Sequence, residues 1–126
     1  MKMSKHLWSS EFNCKDGSAY PANWLYSRLA PLSRALEIVR AITGKTMTIV
    51  SGYRTPAYNR KTKGAAPRSK HMQGIAADFK LEGISPRRLF PILDRFQRMG
   101  VLPKGGLHAY PTFVHIDIRG RIARWE

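Results

Sequence analysis

The stretch Ser69-Lys70-His71-Met72-Gln73-Gly74-Ile75-Ala76-Ala77-Asp78 holds a histidine and an aspartate with six residues between them. Val114-His115-Ile116-Asp117 adds a second histidine near the end of the chain. Two imidazoles and one carboxylate are enough to hold a tetrahedral zinc ion and leave its fourth position open to water, as catalytic sites do. His71, Asp78 and His115 are therefore the candidate ligands of one Zn2+ ion. His115 and Asp117 lie two residues apart, so on a strand they share a face. Asp117 is then a candidate general base, or a carboxylate that orients a ligand histidine. Arg54, in the turn Gly52-Tyr53-Arg54-Thr55-Pro56, suits a substrate carboxylate or a developing oxyanion. With a two-residue turn at Pro111-Thr112, Tyr110 pairs with Phe113 and His108 comes opposite His115, which adds His108 as a candidate transition-state contact. His6 reads as a surface or structural histidine.

The elements that must bring these side chains together are those of one small domain spanning residues 1–126. A chain of 126 residues is long enough to bury an ordinary core without disulfides. Its single cysteine, Cys14, excludes both an internal disulfide framework and a cluster of thiolate zinc ligands, and reads as a small, partly buried side chain. Residues 1–20 read as an irregular arm with a turn at Asp16-Gly17. Leu25, Leu29, Leu32, Leu36 and Val39 fall on one helical stripe that Pro31 should kink and Gly44 should end. Thr46 to Ser51 is short and β-branched, hence a strand, and a brief helical turn follows Pro56.

Lys61 to Lys70 is basic and poor in apolar residues, so an exposed loop leads into the histidine motif. Ile75 to Lys80 alternates as a strand, with Gly74, Ala76 and Asp78 on one face, where two small residues would let metal and substrate approach closely. Ser85-Pro86 starts a second helix whose buried face is read as Leu89, Ile92, Leu93, Phe96 and Met99, with Pro91 disturbing its first turn. Leu107 to Tyr110 and Phe113 to Ile118 form a hairpin, and Trp125 is expected to pack back on the domain. The order predicts an α+β fold with a small, mainly antiparallel sheet flanked by helices.

Charge narrows the partners. Lys and Arg number 22 against 8 Asp and Glu, a net charge of +14. Such a field draws polyanions, either nucleic acid or the phosphate- and carboxylate-bearing polymers of a bacterial envelope. No segment approaches the roughly 20 apolar residues of a membrane span. Met1 to Phe12 lacks the apolar run of a signal peptide, so cytoplasmic synthesis without one is expected.

The ten-residue stretch matches every fixed position of the Ser-x-His-x-x-Gly-x-Ala-x-Asp motif of the D-Ala-D-Ala zinc metallopeptidases. The chain thus resembles that family, which belongs with lysostaphin-type peptidases and the hedgehog signalling domain. Ser51-Gly52-Tyr53-Arg54-Thr55-Pro56 is similar to the family's Gly-Tyr-Arg segment, and Val114-His115-Ile116-Asp117 to its terminal His-x-Asp strand. Glu11 to Gly17 and Arg121 to Trp125 are similar to the small single-domain branch. The resemblance implies a hedgehog/D,D-peptidase-like zinc domain in which His71, Asp78 and His115 bind zinc and Arg54 contacts substrate or transition state. It implies hydrolysis of peptidoglycan peptides, by a D,D-carboxypeptidase or a cross-link endopeptidase. One departure is visible: where many relatives carry an acid or histidine two or three residues before the last ligand, this chain has Phe113 and Thr112. Asp117 is the available substitute. A basic hydrolase without an export signal would suit a phage lysis enzyme (an endolysin) that reaches the periplasm or cell wall through a membrane lesion. The alternatives are a non-catalytic hedgehog-like zinc domain and a basic nucleic-acid-binding protein, although charge alone explains non-specific nucleic-acid affinity.

Overall fold

The two strands that carry Asp78 and His115 lie side by side at the centre of a four-stranded sheet. Residues 1–125 are described by a computed structural model. Strands β1 (Met47–Ser51), β2 (Ala76–Leu81), β3 (Leu107–Ala109) and β4 (Val114–Asp117) are arranged in the order β1-β2-β4-β3. Every neighbouring pair is antiparallel. Asp78 pairs with His115 across β2 and β4, and His108 pairs with His115 across β3 and β4. The hairpin closes as its spacing predicts, with Tyr110 N–H donating to the Phe113 carbonyl at 2.9 Å. Alternation then sorts the side chains: Ala77, Phe79 and Leu81 on β2 and Val114 and Ile116 on β4 enter the core. Asp78, His115 and Asp117 take the other face.

Helix α1 (Ala30–Thr43) follows a π-helical turn over Leu25–Leu29. Pro31 sits in the first turn of α1, where its missing N–H has no intrahelical partner to lose, so the expected irregularity falls just ahead of it. Leu29, Leu32, Leu36 and Val39 are fully buried, as the stripe predicts. Gly44 stops the helix at φ +66°, donating its N–H to the Arg40 carbonyl. Helix α2 (Pro56–Lys61) is one short turn capped by the Thr55 hydroxyl. In α3 (Pro86–Arg98) the buried row is Leu89, Leu93 and Gln97, while Ile92 is exposed and Met99 is 62% exposed. The face is rotated from the expected one because Gln97 is satisfied inside: it donates to the Pro103 carbonyl (3.0 Å) and accepts from Arg124 Nη2 (2.6 Å). Pro91 lies on the exposed side and the helix runs through it.

Residues 1–20 are irregular with a turn at Asp16-Gly17, as expected, and they are packed down: Leu7, Phe12, Cys14 and Tyr20 are buried and Glu37 of α1 accepts from the Ser4 hydroxyl and from His6 N–H. One further expectation is corrected. Gly74 does not open the metal-facing side of β2, which begins only at Ala76. It lies in the preceding turn at φ +71°, where a Cβ would stand 2.6 Å from the Tyr20 hydroxyl and 2.8 Å from the Trp24 ring. That hydroxyl donates to the Gly74 carbonyl at 2.6 Å, pinning the turn that leads from His71 into β2. Among the described residues no helix is long and apolar enough to cross a membrane. Tyr20→Phe, which leaves the Gly74 carbonyl without its buried donor, should lower stability by about 1–2 kcal/mol. Urea unfolding followed by circular dichroism checks this.

Candidate metal centre and cleft

His71 is held before it meets anything else. Its backbone N–H donates to Ser69 Oγ (3.2 Å), and its carbonyl accepts from Arg54 N–H (3.2 Å). Its ring Nδ1 lies 2.7 Å from the Gly52 carbonyl oxygen. The Gly52–Arg54 turn reaches it because the register of β1 shifts between Ile49 and Ser51. Only glycine fits at position 52, where a Cβ would come within 2.6 Å of Phe12 Cα. His71 Nε2 then stands 3.2 Å from Asp78 Oδ1, and His115 Nδ1 stands 3.1 Å from the same oxygen. Donor atoms of His71, Asp78 and His115 all lie within 4.8 Å of one another, and all three residues are buried.

The outer hydrogen bonds decide which ring nitrogens are free. The Gly52 carbonyl can only accept, so His71 Nδ1 carries the proton and Nε2 turns a lone pair inward. Asp117 Oδ2 lies 2.8 Å from His115 Nε2. As an ionised carboxylate it too can only accept, so His115 Nε2 carries a proton and Nδ1 points inward. Two imidazole lone pairs and a carboxylate oxygen thus converge on one point, which needs a cation or protons to be stable. Nitrogen and oxygen donors in this number suit zinc, so the residues fit the ion that the motif implies.

Local electrostatics agree. Burial alone would raise the Asp78 carboxyl, but when protons rather than a cation occupy the inner ring nitrogens, hydrogen bonds from His115 and His71 outweigh burial and hold the group well below the usual carboxylate range. Asp117 is likewise depressed, by His115, Arg119 and the Gly106 N–H acting against burial. Burial would lower His115, yet its bonds to Asp117 and Asp78 raise it, so a bound cation must displace a proton there.

Asp117 is 0% exposed. Besides His115, it accepts from Gly106 N–H (2.8 Å) and from Arg119 through Nε (2.9 Å) and Nη2 (2.7 Å). Gly105 and Gly106 permit this approach: a Cβ on Gly106 would fall 2.2 Å from Asp117 Oδ2, and one on Gly105 would fall 1.7 Å from the Asp117 carbonyl oxygen. Arg119 and the two glycines escaped the sequence reading. Their signals were present, as the alternation His115, Asp117, Arg119 and as a Gly-Gly pair entering a strand.

Arg54 joins the cluster. Its Nη2 lies 3.5 Å from Asp78 Oδ2, and its Nη1 donates to Asn59 Oδ1 at 3.3 Å. His108 does not reach the donor triangle. Its ring stacks on Trp125 with centroids 5.3 Å apart, and Trp125 in turn sets its edge against His115 at 5.1 Å. Trp125 therefore packs back as expected, and its Nε1 donates to the Tyr110 hydroxyl at 3.3 Å. A cleft of about 640 Å³ opens over the triangle, lined by His71, Asp78, His115 and Arg54 among others.

The profile of the family described as Peptidase M15 matches residues 5–117. The chain is 31% identical over 84 residues to a probable peptidoglycan L,D-endopeptidase MepK of Haemophilus influenzae, an alignment covering 62% of this chain and 41% of the relative. It is 34% identical over 82 residues to the peptidoglycan L,D-endopeptidase MepK of Escherichia coli K12, covering 60% and 41%. The chain spans about two fifths of the length of these curated relatives. No solved structure gives a significant match.

Asp117→Asn should weaken zinc binding about 10–100-fold while leaving the fold intact, because His115 loses the charged group that sets its tautomer. Chelator competition, with circular dichroism as the folding control, measures both.

Proposed function

The chain belongs to the peptidase M15 family, and from that premise we propose that it is a zinc-dependent hydrolase of peptide bonds in bacterial peptidoglycan. The observation that carries this reading is the triangle of inward-facing lone pairs at the floor of an open cleft. His71 Nε2, Asp78 and His115 Nδ1 would hold the ion. When bound, zinc supplies Lewis acidity, polarising a carbonyl oxygen and making water acidic enough to attack near neutral pH.

The chain's own residues divide the remaining work. Arg54 reaches the cleft with its guanidinium held between Asp78 and Asn59, so a positive fork is already in place for a substrate carboxylate or a developing oxyanion. Asp117 accepts from His115, Arg119 and Gly106 and exposes no oxygen. We read it as the residue that orients His115 and keeps the proton on Nε2. The general-base role that the sequence also allowed would need an oxygen facing the cleft. We read His108, whose ring stacks on Trp125, as a support for that side chain and not as a reacting group. The L,D-endopeptidase names of the relatives favour cleavage of a bond within the peptide over removal of a terminal residue. The net charge of +14 would hold the chain against anionic wall polymers.

One observation favours a second reading, a non-catalytic zinc domain: Asp117, the carboxylate bonded to His115, is fully buried. Digestion of purified sacculi by the zinc-loaded protein, with the muropeptides resolved by mass spectrometry, decides between the two. Loss of intact stem peptides and appearance of shorter fragments is expected. Arg54→Ala should lower kcat/KM by about 10²–10³-fold with zinc content unchanged. An unaltered muropeptide profile from zinc-saturated protein would sink the hydrolase and leave the binding domain.

A further inference from the structure

The cleft has two unlike walls. One comes from the hairpin and the chain end, where Tyr110, Phe113 and Trp125 present aromatic surface. The other is the connection between α2 and the histidine motif, and from it Lys63, Arg68 and Lys70 line the cleft. None of these three cations makes an ion pair with a carboxylate among the described residues. Arg54 and Arg119 also line the cleft, but each already holds an aspartate.

A basic surface loop is ordinarily a solvated one. This loop differs in being tied down. Asn59, itself buried, donates from Nδ2 to the Ala66 carbonyl at 2.9 Å. Successive turns are closed by Ala65 N–H on Thr62, Ser69 N–H on Ala66 and Met72 N–H on Ser69, each at 3.1 Å. The three cations are thus set at one cleft wall by a fixed backbone. Lys63 and Arg68 are exposed and Lys70 half-buried, so solvent and salt screen their repulsion in part, and an anionic occupant of the cleft would relieve the remainder. Among the described residues the one acidic side chain lining the cleft, Asp78, is buried among the candidate ligands and does not neutralise that wall.

We propose that Lys63, Arg68 and Lys70 form a carboxylate-reading wall, so that the enzyme selects peptides bearing free carboxylates near the scissile bond over the same peptides with those groups amidated. The proposal rests on the peptidase reading for its substrate class, but recognition by this wall does not require turnover. It extends the site's anion binding from Arg54 to a separate element with a separate task. Specificity comes from the loop, and Arg54 serves the reacting centre.

The test uses the full chain and two synthetic stem peptides of one sequence, one with free side-chain and α-carboxylates and one with these amidated. Calorimetry on the metal-free protein should give about tenfold tighter binding of the carboxylate peptide at low salt, the size expected for three partly screened ion pairs. The difference should shrink as ionic strength rises. With zinc loaded, the same preference should appear in KM with kcat little changed. The variant Lys63→Gln/Arg68→Gln/Lys70→Gln should lose the preference while keeping its zinc content and unfolding midpoint. Equal binding of the two peptides by the unaltered chain overturns the proposal, as does a preference that survives in the triple variant. Selective binding without cleavage of either peptide keeps the carboxylate wall and overturns the peptidase.

Discussion

The pairing of Asp78 with His115 across β2 and β4 is the constraint on which the site depends. In an antiparallel pair, opposed residues on one face stand close enough for their side chains to touch. A slip of one residue would turn either member to the core face and fill the cleft side with Ala77 or Ile116. That slip is blocked by Ala77, Phe79, Val114 and Ile116, which can be buried only in the observed register. The apolar half of the sheet therefore sets the geometry of its polar half. His71 is delivered to the same point from outside the sheet by the Gly52 carbonyl and the Arg54 N–H.

A second layer of hydrogen bonds turns proximity into chemistry. Imidazole has two nitrogens, and only one arrangement of protons leaves both inner ones free. The Gly52 carbonyl imposes that arrangement on His71, and Asp117 imposes it on His115. Asp117 is a fully buried charge, and such a group is tolerable only when paired and hydrogen-bonded. Arg119 and the Gly106 N–H meet that condition, and two glycines in sequence let the backbone come close enough. The loop before β3 thus belongs to the site as much as the strands do.

Among the described residues, several acids of this basic chain are engaged by donors of the chain itself. Asp78 and Asp117 serve the cluster, while Glu37 fastens the N-terminal segment. Asp94 accepts from Arg98 and Arg124, and Asp16 from Thr55. Cations on the surface are left in excess, and the cleft inherits that excess from Lys63, Arg68 and Lys70. On the proposed reading, one composition would supply both a long-range attraction for polyanions and a selective local field.

Local pattern was enough to read much of this from the sequence. Leu29, Leu32, Leu36 and Val39 repeat at helical spacing, the strands alternate, and the Pro111-Thr112 turn dictates the hairpin register. The ten-residue motif, with its answering His115, named the three donors that the fold brings within 4.8 Å of one another. Other features depend on residues distant in the chain and were not legible. Gln97 is buried in place of Met99 because Pro103 and Arg124 satisfy its amide. Gly74 serves Tyr20 and Trp24, more than 45 residues earlier, and not the metal face. Residue types and their spacing singled out which residues carry metal-ligand chemistry, because that chemistry is local. Which ring nitrogen is free, and whether Asp117 faces the cleft or its supporting residues, was decided by tertiary structure, since those depend on hydrogen bonds that exist only once Gly52, Gly106 and Arg119 have been folded into place.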